Sequence, residues 1–450
     1  MDGLIPWQDD LTRMSQRLGP GLAKLLREME LPPVYEVRQN FPRPLIEGVE
    51  AHLATELNRP ELRARIQPGM RVAIAVGSRG LARLPELVRG TVNVLKSWGA
   101  SPFLVPSMGS HGGATAEGQR EVIEGYGVTE AAVGAPIVAS METIHIGQAL
   151  GDVDVYWSAD AAQADAVVPI ARVKPHTGFR GPIESGVMKM LTIGLGKQHG
   201  AESLHDGGSG RFAELIPAAG RLVLEKMPVA FGVAMVENAY DEPAIIEALL
   251  PDRIEARERE LLVLARENMP YLPFADIDLL VVQEIGKNIS GSGMDPNVTG
   301  QFSRRLDGSS GGPRVKRTVV LDLTAETHGN GVGIGSADVT TLRLFQKIDL
   351  PSVYANCLTA AGAGGGKLPL IMENDRMALR CALKSCPRLP EGGARMVLIR
   401  NTMTAHHLWC STALEAEARS HAHCDVASTP RPLEFDEDGS IVAPITCRDK

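Results

Sequence analysis

Two hydrophobic rhythms alternate along this chain. Short runs of β-branched and aliphatic residues, bounded by glycine or polar residues, read as buried strands. Longer stretches with apolar residues three and four apart read as amphipathic helices. RVAIAVG (71–77) is followed by the helical pattern LPELVRGTVNVLKSWG (84–99), which stops at glycine. SPFLVPSM (101–108) leads to TAEGQREVIEGYG (115–127), with Thr115 placed to cap its helix. ADAVVPIARV (164–173), FAELIPAAGRLVLEK (212–226) and PVAFGVAMVEN (228–238) repeat the strand–helix–strand order. Strands apolar on both faces, alternating with helices, predict an α/β protein with open, mostly parallel sheets flanked by helices.

PDRIEARERELLVLAREN (251–268) is the longest helical pattern, charged along one side, and is expected to link two domains. After it the alternation restarts, with strands at 276–286, 316–323 and 394–402 and a helix at 375–386. A chain of 450 residues exceeds one ordinary core. Two α/β domains are therefore expected, 1–270 and 271–450, with an irregular tail from about 425. The net charge of −8 argues against nucleic acid or an anionic membrane as partner. No apolar run is long enough for a membrane span, and the acidic N-terminus lacks the core of a signal peptide. All six cysteines fall from Cys357 onward without a CxxC pair, which points to a reducing cytoplasm rather than a disulfide framework.

Candidate chemistry concentrates between Val173 and His205, which holds His176, His199 and His205 among Lys174, Lys189 and Lys197. Only eleven histidines serve the whole chain, so three here are a local excess. Loops leaving the carboxyl ends of strands line the ligand crevice of an open α/β sheet. His111, in SHGGAT after the strand at 101–108, and His176, in KPHTGF after the strand at 164–173, should emerge at one sheet edge. Two imidazoles so placed can flank a substrate, each acting as acid or base on its own side. The plainer alternatives are a helix-capping histidine and unrelated polar loop residues.

Lys189 interrupts an apolar run (Val187, Met188, Met190, Leu191), and His205 follows it by 205 − 189 = 16 residues. A snorkelling lysine beside a surface histidine would look the same. Arg79, in VGSRG at a strand end, offers a fork of donors to a carboxylate, and Lys287 sits among glycines that can close over an anion. The glycine-rich segment 326–338 lacks GxGxxG between strand and helix, against a dinucleotide. His406, His407 and HAHC (421–424) read as incidental rather than as a metal site.

Taken together, the SHGGAT loop, the KPHTGF loop, the Lys189–His205 spacing and the Glu284–Lys287 ExxK element resemble the nickel-pincer-dependent lactate racemase family, including its wider set of 2-hydroxyacid racemases and epimerases. The resemblance runs from about residue 35 to about 415. It implies two α/β domains with the active site in the interdomain cleft. It also implies a nickel-pincer nucleotide, nickel pyridinium-3,5-bisthiocarboxylic acid mononucleotide. Lys189 then corresponds to the covalent tether, His205 to the nickel ligand, His111 and His176 to the acid/base pair, and Arg79 and Lys287 to the substrate-carboxylate binders.

The implied partner is a small-molecule hydroxy acid, with homo-oligomer formation open. Glu284 stands where an amide is expected, and the segment between His176 and Lys189 is longer than the family's compact turn. Both departures point to an acid larger than lactate, of the polyhydroxylated or sugar-acid type. A nicotinamide-dependent dehydrogenase, a metal hydrolase using the same histidines and a non-catalytic ligand-binding homologue are the competing expectations.

Overall fold

The computed structural model describes residues 20–77, 80–302, 312–359 and 362–442. The chain forms two compact α/β units. One is Pro42–Met269; the other joins the chain before Pro42 to the chain from Pro270. The first strand, β1 (Val34–Gln39), therefore belongs to the second unit and not to a domain beginning at residue 1. Its backbone partners lie some 370 to 390 residues later in the chain, and no local pattern reveals such pairing.

In the unit Pro42–Met269 the strands are β2 (Arg71–Val76), β3 (Ser101–Pro106), β4 (Thr143–Ala149), β5 (Val153–Ser158), β6 (Ala166–Arg172), β7 (Gly232–Glu237) and β8 (Pro243–Leu249). Its helices are α1 (Val49–Leu57), α2 (Leu84–Ser97), α3 (Ala116–Gly125), α4 (Lys197–Asp206), α5 (Phe212–Lys226) and α6 (Pro251–Glu267). The main sheet has the order β3-β2-β6-β7-β8, parallel except for β8, while β4 and β5 form a separate hairpin.

Side chains alternate across a strand. Val72, Ile74 and Val76 accordingly join Leu53, Leu57, Leu87 and Val88 on one face. Ala73 and Ala75 point to the other, among Met188, Leu191, Leu215, Ile254 and Leu261. The sheet is thus covered on both sides. Helix α6 belongs to this core, with Ile254, Leu261, Leu262 and Ala265 buried, instead of bridging two domains. Its charged side had suggested a linker, but its apolar stripe is committed to one sheet.

The second unit contains β9 (Asp276–Ile285), β10 (Arg314–Leu323), β11 (Val339–Thr341), β12 (Leu370–Met372), β13 (Met396–Ile399), β14 (His407–Ser411) and β15 (Cys424–Val426), with helix α7 (Asp375–Ser385). The order is β12-β11-β10-β9-β13-β14-β1-β15. The strands from β12 to β13 are parallel, and β14, β1 and β15 pair antiparallel. Met377, Leu379 and Leu383 of α7 pack against Leu279, Val281, Leu321 and Leu398. The tail is less free than expected: β15 pairs with β1, and the Arg431 amide donates to the Val34 carbonyl at 2.8 Å.

Both sheets contain a switch point. Strand β2 has β3 on one side and β6 on the other, and β9 has β10 on one side and β13 on the other. Ligands of open α/β sheets bind outside the carboxyl ends of strands at such points. No helix among the described residues is long and apolar enough to cross a membrane.

Candidate active site

In the unit Pro42–Met269, the loops leaving β2, β3 and β6 share the switch-point edge. Arg79 lies on the first of these, outside the described residues. His111 follows β3 and His176 follows β6. Because β2 separates those strands, their ends stand two inter-strand spacings apart, about 10 Å.

The His111 loop is held by its own backbone. The Ser107 amide donates to Val76 O at 2.7 Å, and the Gly109 amide to Gly194 O at 3.2 Å. Thr115, rather than His111, caps α3, accepting the Gly118 amide at 3.0 Å. His111 is exposed. Gly112 has φ +67°, and a Cβ there would stand 2.6 Å from the Gln119 nitrogen. Gly112→Ala is therefore expected to cost about 2 kcal/mol or more, from left-handed backbone strain and overlap together. A fall in the urea midpoint at unchanged m-value would show it; an unchanged midpoint would contradict the loop geometry.

Beneath this loop lies a buried polar relay. Lys197 is fully buried and holds a left-handed φ of +54°. Its ammonium donates to Pro106 O at 2.6 Å and Gln119 Oε1 at 3.3 Å. Gln119 Nε2 donates in turn to Gly109 O at 2.8 Å and His111 O at 3.3 Å. Burial pulls the Lys197 pKa down to about 8. The lysine thus braces the loop from below. His199 stacks on Tyr156 with centroids 3.8 Å apart, packed toward the β4–β5 hairpin.

The His176 loop is closed at its base by reciprocal bonds between Lys174 and Ser185, at 3.0 and 3.2 Å. This pairing accommodates the long segment between His176 and Lys189. Inside it, fully buried Glu184 accepts the His176 amide at 2.6 Å and the Gly181 amide at 3.2 Å. Arg180 donates to the His176 carbonyl at 2.7 Å. Both backbone groups of His176 are thus fixed. The Gly178 amide donates to His176 Nδ1 at 3.0 Å, which puts the proton of the neutral ring on Nε2.

Lys189 ends a single helical turn, Val187–Lys189, and a π-helical turn, Met190–Gly194, follows before α4. π-turns of this kind frequently mark functional sites. His205 stands in the last turn of α4, where the helix carbonyls favour positive charge. His176, Lys189 and His205 are all half-buried. An aromatic bridge joins the two histidines: His176 to Phe179 at 4.5 Å, Phe179 to Phe212 at 5.5 Å, Phe212 to His205 at 5.0 Å. The intervening turn also meets the other loops. A Cβ at Gly109 would lie 3.3 Å from that of Ala201 and 3.4 Å from Ile193, and one at Gly77 would lie 2.9 Å from Met190 Cε.

Lys287 belongs to the second unit, on the loop after β9, where its ammonium donates to Gly291 O at 2.6 Å. Glu284, at the end of β9, accepts from Arg400 Nε and Asn401 Nδ2, each at 2.8 Å. Its charge is therefore paired. His421 Nδ1 lies 3.6 Å from Cys424 Sγ. Among the described residues, no group of three or more His, Cys, Asp or Glu comes together to hold a metal.

Sequence reasoning missed Glu184, Glu258 and the bracing role of Lys197. For Glu258 a signal existed: it occupies the inward stripe of α6 with Ile254, Leu261 and Ala265, where a charge is out of place.

Residues 75–244, which include His111, His176, Lys189 and His205, match the family described as Domain of unknown function (DUF362). Comparison with curated proteins gives no match. Among solved structures, the chain is similar to the lactate racemase apoprotein from Thermoanaerobacterium thermosaccharolyticum. The identity is 12% and the TM-score 0.48, over 82% of this chain and 99% of that one.

Proposed function

We propose that the protein is a racemase or epimerase that inverts C2 of a 2-hydroxy acid with a nickel-pincer nucleotide. The observation that carries this reading is the gathering of His111, His176 and the Lys189–His205 segment at one sheet edge. The donor set fits the group in kind. A nickel held mainly by the sulfur–carbon–sulfur arms of its own nucleotide needs one imidazole from the protein, not a cluster of ligands. His205, at a helix C-terminus, would supply that imidazole, and Lys189 would supply the amine for the covalent tether.

The α-hydrogen of a hydroxy acid carboxylate is a very poor acid, since its loss as a proton would build a dianion. When bound, the cofactor supplies a two-electron acceptor for that hydrogen as hydride. The chain's own task is the hydroxyl proton. One histidine takes it as C2 becomes planar, and the other returns a proton when hydrogen is restored to the opposite face. Inversion needs such a group on each side, and the position of β3 and β6 on either side of β2 supports giving these roles to His111 and His176. Resting His176 presents Nε2–H as a donor, and Nδ1 must leave Gly178 for Nε2 to act as base.

The substrate carboxylate is assigned to Arg79 and Lys287. Glu284, with its charge paired, is assigned to the outer hydroxyls of a larger acid as a hydrogen-bond acceptor. Lactate or malate turning over as fast as any aldonic acid would sink this substrate assignment.

Protein made in cells that synthesise the nucleotide is expected to show an intact-mass increase and near-stoichiometric nickel. Lys189→Ala should lose the covalent mass entirely. Racemisation by protein that never gains the adduct would refute the cofactor assignment. The competing dehydrogenase and hydrolase readings require no adduct at Lys189.

A further inference from the structure

Helix α6 carries two polar side chains that bear on the backbone of the candidate site, one directly and one through a carboxylate. Fully buried Glu258 accepts the Met188 amide at 3.0 Å and also bonds the Val187 amide. Those donors open the turn that ends in Lys189, and early helical amides have no partner within their own helix. Fit is close here, since any Cβ at Gly186 would overlap the Glu258 carboxylate. Eight residues on, Arg266 donates to Glu184 Oε1 at 2.6 Å. Glu184 Oε2 is the acceptor of the His176 amide. Eight residues are about 2.2 helical turns, so Glu258 and Arg266 project from α6 about 80° apart, on one broad face.

Neither residue is needed merely to hold α6 down. Ile254, Leu261, Leu262 and Ala265 already bury its apolar stripe. Burying a carboxylate against two amides is costly unless that backbone must be held.

We infer that Glu258 and Arg266 are positioning residues through which one rigid helix sets both the turn bearing Lys189 and the loop bearing His176. The inference rests on the proposed function for what those two residues do, but its geometry stands without it. Glu258 holds the main chain beside Lys189 directly, and Arg266 acts on that of His176 through the Glu184 carboxylate. The helix thereby fixes where Lys189 and His176 start while leaving their side chains to the ligand.

Amide hydrogen exchange on apoprotein tests the bracing directly, and the extent of adduct in cofactor-producing cells tests its consequence. Glu258→Ala should speed exchange within 186–190 by tenfold or more and cut the Lys189 adduct severalfold. Glu258→Gln, which keeps one acceptor and the shape, should restore most of both. Arg266→Ala should speed exchange within 176–181 and shift the NMR titration of His176, with the adduct retained. Exchange unchanged in both segments, or raised equally throughout the unit, would overturn the inference. If Glu258→Ala does not fold, Glu258→Gln and Arg266→Ala still decide through their local patterns. Absence of adduct even in the unsubstituted protein would refute the cofactor reading, while the exchange pattern would still judge the brace.

Discussion

Replacing His176 with asparagine is expected to lower racemisation in both directions by about 10²–10⁴-fold, with adduct and nickel unchanged. His111→Asn should do the same. In the proposed mechanism inversion takes a hydroxyl proton on one side and returns one on the other, so each histidine would serve both directions. The symmetry has a sharper consequence. Each single variant retains a competent base on one side, so one enantiomer should still yield trappable keto acid and the other should not. The favoured enantiomer should exchange between the two variants. Equal keto-acid yield from both enantiomers in either variant would mean that the histidines do not divide the faces. Asparagine suits the test because it keeps a hydrogen-bonding group of similar size. The loop of His176 is anchored through main-chain atoms that the substitution leaves in place.

The second large effect concerns Glu258 and stability. Burial raises its carboxyl from the usual 4.5 to about 7, offset in part by the Met188 and Val187 amides. The folded protein then binds a proton that the unfolded chain has already released between those values. Stability contributed by this group is full below pH 4.5 and is lost as pH rises through 7. The loss is about 3 kcal/mol at most. Glutamine has no such titration. The stability difference between Glu258→Gln and the unsubstituted protein, from urea unfolding, should therefore shift by most of that amount between pH 5 and pH 8, in favour of the variant. A difference independent of pH would contradict the buried ionisable group. Taking differences removes the other carboxylates and histidines that titrate over this range.

Much of the architecture was legible because it rests on local period. The runs at 71–77, 101–108 and 164–173 are β2, β3 and β6, and Thr115 caps α3 as its sequence context requires. The edge at which His111 and His176 emerge follows from two facts readable in sequence: strands of this type run parallel, and each histidine comes directly after one. The place of β1 was not legible, because its partners lie in the last fifty residues. Nor was the role of α6. Its charge pattern suited a solvent-bridging helix, and only packing against β7 and the Lys189 turn shows that Glu258 points inward. Glu284 gives the same lesson from electrostatics. Alone in sequence it is an extra negative charge, but Arg400, 116 residues away, pairs with it.

The sequence by itself determined the α/β class and the strands from which the candidate loops leave, and it named the residues proposed to carry the chemistry. These depend on side-chain type and short-range spacing. Tertiary structure decided what surrounds them: Glu184 and Arg180 fixing His176, Lys197 and Gln119 under the His111 loop, and Phe179 with Phe212 between two histidines. Some of these contacts join distant segments, as Lys197 with Gln119 and Phe179 with Phe212 do, and others fold one loop back on itself, as Glu184 with His176 does. Their existence depends on how close the fold brings two backbones, and residue type alone does not encode that distance.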